Sequence, residues 1–265
     1  MPLRLRRRFR SSKVPSKIDG AFWVLKLLST AMGEATSDFM VHRFNPELAV
    51  LGAGVVFVAV LWWQLSVPRF LITPYWTAVV MVSVFGTMCA DVLHVRFGVP
   101  YVVSALAFGV ALVVVFVTWS RVEHTLSIHS ITTTRRELFY WGAVTVTFAL
   151  GTAVGDLTAY TVGLGFLRSG ILFAILFCLP VVGFVLLRLN AVAMFWTAYI
   201  LTRPLGATFA DYLGKSHEQG GLNWGPGNVS FMFSAVIVAI VALLVGHERR
   251  RLASRVRPVG RGTYH

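Results

Sequence analysis

The chain has 265 residues, 56% of them hydrophobic and 13% charged, and its mean hydropathy is +0.72. A soluble domain carries about a quarter charged residues, so the composition excludes an ordinary soluble protein and points to an integral membrane one. The net charge of +13 would suit nucleic acid, but the basic residues collect at the termini and in alternate connections, which is a topology signal and not a binding surface.

Residues 1–20 read as a basic cytoplasmic tail. Eight apolar stretches follow, at approximately 22–42, 48–67, 75–94, 99–119, 138–160, 166–187, 191–213 and 229–246. Each has roughly the length that crosses about 30 Å of hydrocarbon. Helices are predicted, because unpaired backbone is too costly in lipid and no barrel-like alternation appears. The first stretch is too long and too polar for a cleaved signal peptide. A polar loop, 120–137, joins the two halves, and a Gly-rich loop precedes the last stretch. Residues 248–265 form a second basic tail. With the N-terminus inside, eighteen Lys and Arg lie inside against four outside (Arg43, Arg96, Arg168 and Lys215). Both termini are therefore expected in the cytoplasm, in a bacterial inner membrane. Cys89 and Cys178 fall inside spans and imply no disulfide framework.

One frame recurs four times without gaps: an aromatic residue, a Trp, a Gly ten residues after the Trp, and an Asp five after that. The copies are Phe22, Trp23, Gly33, Asp38; Tyr75, Trp76, Gly86, Asp91; Tyr140, Trp141, Gly151, Asp156; and Phe195, Trp196, Gly206, Asp211. Only one further Asp, Asp19, exists in the chain. Repeats of this kind decide the fold. The expected fold is all-α: eight transmembrane helices as four parallel two-helix repeats (21–67, 74–119, 138–188, 191–247) in a pseudo-fourfold arrangement. The polar odd helices are expected to form an inner ring and the apolar even helices to face lipid. The four frame Trp residues are read as interface anchors, with Trp62, Trp63 and Trp119 in an aromatic belt at the cytoplasmic side.

The pattern resembles a bacterial membrane-protein family of four tandem two-helix repeats, each with a Trp, known as a repeat of unknown function. The resemblance is carried by GEATSD (33–38), HTLSIHSITTTRRE (124–137), FALGTAVGDL (148–157) and YILTRPLGATFADYL (199–213). It implies the eight-helix fold and supplies no activity, so function must come from the residues.

On a helix, the residue four before each Asp shares its face. These are Glu34, Thr87, Thr152 and Ala207, so three copies add an oxygen one turn inward. Asp38, Asp91, Asp156 and Asp211, with Glu34, Thr87 and Thr152, are the candidate cation and proton site, the four Asp being the metal ligands. Lys26 and Arg203, the cations inside spans, are candidates for charge pairing with these carboxylates. Gly33, Gly86, Gly151 and Gly206 lie about 140° from the Asp face on a straight helix, which suits helix packing or a kink. An oxygen-only set suits a hard divalent cation. Intramembrane carboxylates usually mark ion or proton paths.

The expected function is a transporter or exporter of a small, divalent cation, coupled to protons through the Asp cluster. A non-transporting scaffold or sensor, or a cation channel, stays open beside it. No phosphate loop, nucleophile elbow or HExxH appears, so no enzyme is expected. The expected partners are the lipid bilayer, a small cation and protons, with no nucleic acid and no cofactor beyond a bound divalent cation.

Overall fold

The structure is a computed structural model that describes residues 12–256. Among these residues there are eight α-helices and no strand: α1 Gly20–Arg43, α2 Pro46–Ser66, α3 Ile72–Val95, α4 Tyr101–Glu123, α5 Thr134–Asp156, α6 Gly165–Val185, α7 Ala191–Gly214 and α8 Pro226–Val256. Starts are set by capping side chains that accept orphan N–H groups: Asp19 from Phe22, Asn45 from Glu47 and Leu48, Thr133 from Arg136, and Asn190 from Val192 and Ala193. Six helices, all but α1 and α7, are long and apolar enough to cross a membrane. The other two carry Lys26, Glu34 and Asp38, or Arg203 and Asp211, along their length.

Burial explains how these charges are tolerated. Helices α1, α3, α5 and α7 pack in a closed ring, each against the next and α7 against α1. Helices α3 and α5 bury 61% of their apolar windows, whereas α2, α4, α6 and α8 bury 22%, 17%, 28% and 11%. The odd helices are thus inside and need not be apolar on every side. Each even helix packs mainly on the odd helix that follows: α2 on α3, α4 on α5, α6 on α7, and α8 on α1. The packed pair is therefore offset by one helix from the two-helix unit of the sequence.

The repeated Gly sets the ring's spacing. A Cβ at Gly33 would overlap Ser83, one at Gly86 would overlap Phe148, one at Gly151 would overlap Arg203 and Pro204, and one at Gly206 would overlap Thr30. The residue met is in every case the one seven after the next helix's Trp. Small residues let helix backbones approach this closely.

Three findings refine the expectations. Three of the four frame Trp residues are not interface anchors, because Trp76, Trp141 and Trp196 are buried among the inner helices, as is Trp119, while Trp23 is half-buried. Trp119 and Trp196 meet edge to face, with ring centroids 5.7 Å apart. Trp62 and Trp63 are exposed, as is Trp224 in the loop before α8. Second, the described part of the N-terminal tail is seated. Lys13 Nζ pairs with the buried Glu137 at 2.7 Å and donates to the Leu65 carbonyl, Phe70 N–H donates to the Ser12 carbonyl, and Val14 is buried. Residues 1–11 of that tail lie outside the described residues. Third, α8 continues through Arg249–Arg251 to Val256, so half of the second tail is helix; residues 257–265 lie outside the description.

Candidate functional site

The site is built at the end of the ring where odd helices hand over to even ones. The inner layer of the site comes from the position eleven after each Trp. Here the two N–H groups of Arg203 Nη2 are shared among three acceptors, Glu34 Oε2 at 2.6 Å, Thr152 Oγ1 at 2.6 Å, and Thr87 Oγ1. Its Nη1 reaches the Thr30 carbonyl at 3.2 Å. One guanidinium from the fourth copy thus joins the equivalent positions of the other three. The fourth copy has Ala207 there, on Arg203's own helix, which adds no competing group. Arg203 is fully buried and Glu34 is 2% exposed. The planar fork of Arg suits such multiple acceptors better than Lys would.

In this layer Thr87 and Thr152, expected as cation ligands, are engaged by Arg203. Each hydroxyl donates its one proton to its own helix, to the Ser83 and Phe148 carbonyls, and accepts from Arg203. They hold the guanidinium in place. Arg203 does pair with a carboxylate. Lys26 does not: its ammonium lies 4.0 Å from the ring centroids of both Phe148 and Tyr199, and it has no hydrogen-bond partner among the described residues. Beneath it, Tyr75 and Tyr140 hydroxyls meet at 2.6 Å and Tyr140 and Tyr199 at 3.5 Å.

One turn outward, the four Asp converge on Glu34. Carboxylate oxygens of Glu34, Asp38 and Asp91 lie within 4.8 Å of one another, and so do those of Glu34, Asp156 and Asp211. Glu34 belongs to both triads. Oxygens bound to one hard cation at about 2.0–2.6 Å are at most about 5 Å apart, so either triad has the right size for a divalent ion. Ser37 Oγ donates to Asp91 Oδ2. Asp156 is the last α-helical residue of α5, which continues as a π-turn over Leu157–Thr161; such turns are frequent at functional sites. Asp211 is 3% exposed, and its Oδ1 lacks a hydrogen-bond partner among the described residues.

A residue that the sequence places outside enters this layer. Lys215 Nζ pairs with Asp38 at 2.6 Å and lies 3.8 Å from Asp211. The Gly-rich loop brings it there by folding back over the end of α7. The N–H groups of Leu222, Asn223, Trp224 and Gly225 donate to the carbonyls of Tyr212, Lys215, Leu213 and Gly214. A Cβ at Gly221 would overlap the Lys215 carbonyl, so this close return requires glycine. Lys215 lies beyond the end of α7. Burial alone would lower its pKa, but the carboxylates of Asp211 and Asp38 outweigh that and hold it well above the ordinary lysine value. Five carboxylates therefore face two contacting cations. The signal for Lys215 was its i,i+4 spacing from Asp211; for Arg203 it was its place at the Gly-contact position.

No curated protein and no solved structure matches the chain. The family model described as Repeat of Unknown Function (DUF347) matches residues 74–125, 139–189 and 194–250. These segments hold the second, third and fourth copies of the frame and more than half of the chain. The chain belongs to this family, a repeat of unknown function.

Proposed function

We propose that the protein is a proton-coupled transporter of a small divalent cation, with Glu34, Asp38, Asp91, Asp156 and Asp211 as the cation site. The observation that carries this reading is the convergence of five carboxylates from four helices into two triads that share Glu34. Two cations leave their charge unbalanced, and a low-dielectric site must make up the difference with protons or with an ion. A divalent ion entering would displace protons, so uptake of one couples to release of the other. The protein is read as a carrier and not an enzyme.

The wider frame of the proposal is an eight-span chain in the bacterial inner membrane with both termini cytoplasmic. At 24 residues each, α1 and α7 are about 36 Å long, enough to cross. The cyclic Gly contacts and the closed ring support a pseudo-fourfold arrangement of four repeats. The charge bias of the connections supports the topology. Labelling of a Cys placed at Gly220 from the cytoplasmic side only would contradict that topology.

The functional test is cation-dependent proton flux in liposomes containing the purified protein, with Mn²⁺, Mg²⁺, Ca²⁺ and monovalent ions each tried alone. Asp91→Asn is expected to keep the fold and weaken ion affinity by about tenfold or more. The scaffold reading has one observation in its favour: Arg203 ties Glu34, Thr87 and Thr152 together across four helices. Absence of flux together with loss of stability in Asp91→Asn would favour it.

A further inference from the structure

Lys215 joins the cluster in an unusual way. Its backbone is clamped, N–H to the Asp211 carbonyl at 2.8 Å and carbonyl to the Asn223 N–H at 2.8 Å. Its side chain is a flexible tether that ends between Asp38 and Asp211. Those two residues belong to different triads. The ammonium therefore touches both triads at their outer carboxylates, as Arg203 does from within through the shared Glu34. It is also at the outer edge, with its side chain 16% exposed, whereas Arg203 is sealed within.

We propose that Lys215 is a tethered counter-cation that occupies the carboxylate cluster until the transported ion displaces it, and so sets the site's affinity. This rests on the cation-site reading above. Binding then exchanges one cation for another: the ion takes the oxygens of one triad, including Asp38 or Asp211, and the lysine side chain swings toward the aqueous side on its fixed backbone. Asp211 Oδ1 makes no hydrogen bond among the described residues and meets Lys215 only at 3.8 Å, so it is open to an ion once the ammonium leaves. The Gly-rich loop, by this account, exists to hold the tether's root.

The test is binding of Mn²⁺ alone, and Mg²⁺ alone, to the purified full chain. Removing a competing charge at contact distance is expected to tighten binding by about tenfold or more in Lys215→Gln, with Lys215→Arg close to the unsubstituted protein. Lys215→Cys should bind tightly too. Its modification with an aminoethyl methanethiosulfonate, which restores a tethered ammonium, should return the weaker affinity, and a methyl reagent should not. Unsubstituted protein given the same reagents controls for Cys89 and Cys178. If the unsubstituted protein binds the ion and Lys215→Gln and Lys215→Cys bind it no more tightly, the tether proposal is wrong while the cation site stands. If none of them binds either ion, the cation site itself falls, and the tether with it.

Discussion

Arg203 and Lys26 are both fully buried cations on adjacent inner helices, about one helical turn apart along the ring axis, and both lie against the ring of Phe148. Arg203 has a carboxylate, two hydroxyls and a carbonyl. Lys26 has two aromatic faces and no hydrogen-bond partner among the described residues. The carboxylate end of the ring is thus held by paired charges, and the aromatic end by rings and tyrosine hydroxyls with one unpaired amine above them. Charge inside this ring does not by itself mark a bond that stabilises it.

Substitution breaks the comparison open. Arg203→Met leaves Glu34 buried without its partner and is expected to cost about 3–5 kcal/mol in a denaturant or thermal titration. Lys26→Met removes a buried charge that has no anion to lose, so it should be neutral or stabilising in the same titration. A large loss in both variants would mean that Lys26 has a partner of its own. The Gly contacts come next. Gly33→Ala pushes a methyl into Ser83 and should cost about 1–3 kcal/mol. Gly52→Ala, on a lipid-facing helix with nothing within 4 Å of the new Cβ, should stabilise by about 0.5–1 kcal/mol. At the small end, the exposed Arg96–Glu47 pair at 2.7 Å is predicted to matter little: Glu47→Gln should leave the melting temperature unchanged, because water screens such pairs.

The helices and the inner ring were legible because apolar length and a repeated polar frame are local properties of the chain. The Trp residues were misread for a related reason. An aromatic near a helix end suits a lipid interface or a helix seam equally, and only the neighbouring helices decide between them. Arg203 was seen as a partner for a carboxylate, but not as the group that joins three equivalent positions. That role depends on reach across the ring, which spacing along one helix does not encode. Lys215 was counted as an outside charge because its entry depends on the loop turning back at Gly221. Lys13 was placed in a tail, although its partner Glu137 is 124 residues away in sequence, beyond any periodicity signal.

The central claim is that the Asp cluster holds a cation, and anomalous scattering from crystals soaked in Mn²⁺ tests it most directly. The account predicts an anomalous peak within coordination distance of Glu34 and at least two of Asp38, Asp91, Asp156 and Asp211, with the Lys215 ammonium displaced from Asp38. A soaked crystal with manganese bound elsewhere on the protein, no peak at this cluster, and Lys215 still paired to Asp38 would contradict it.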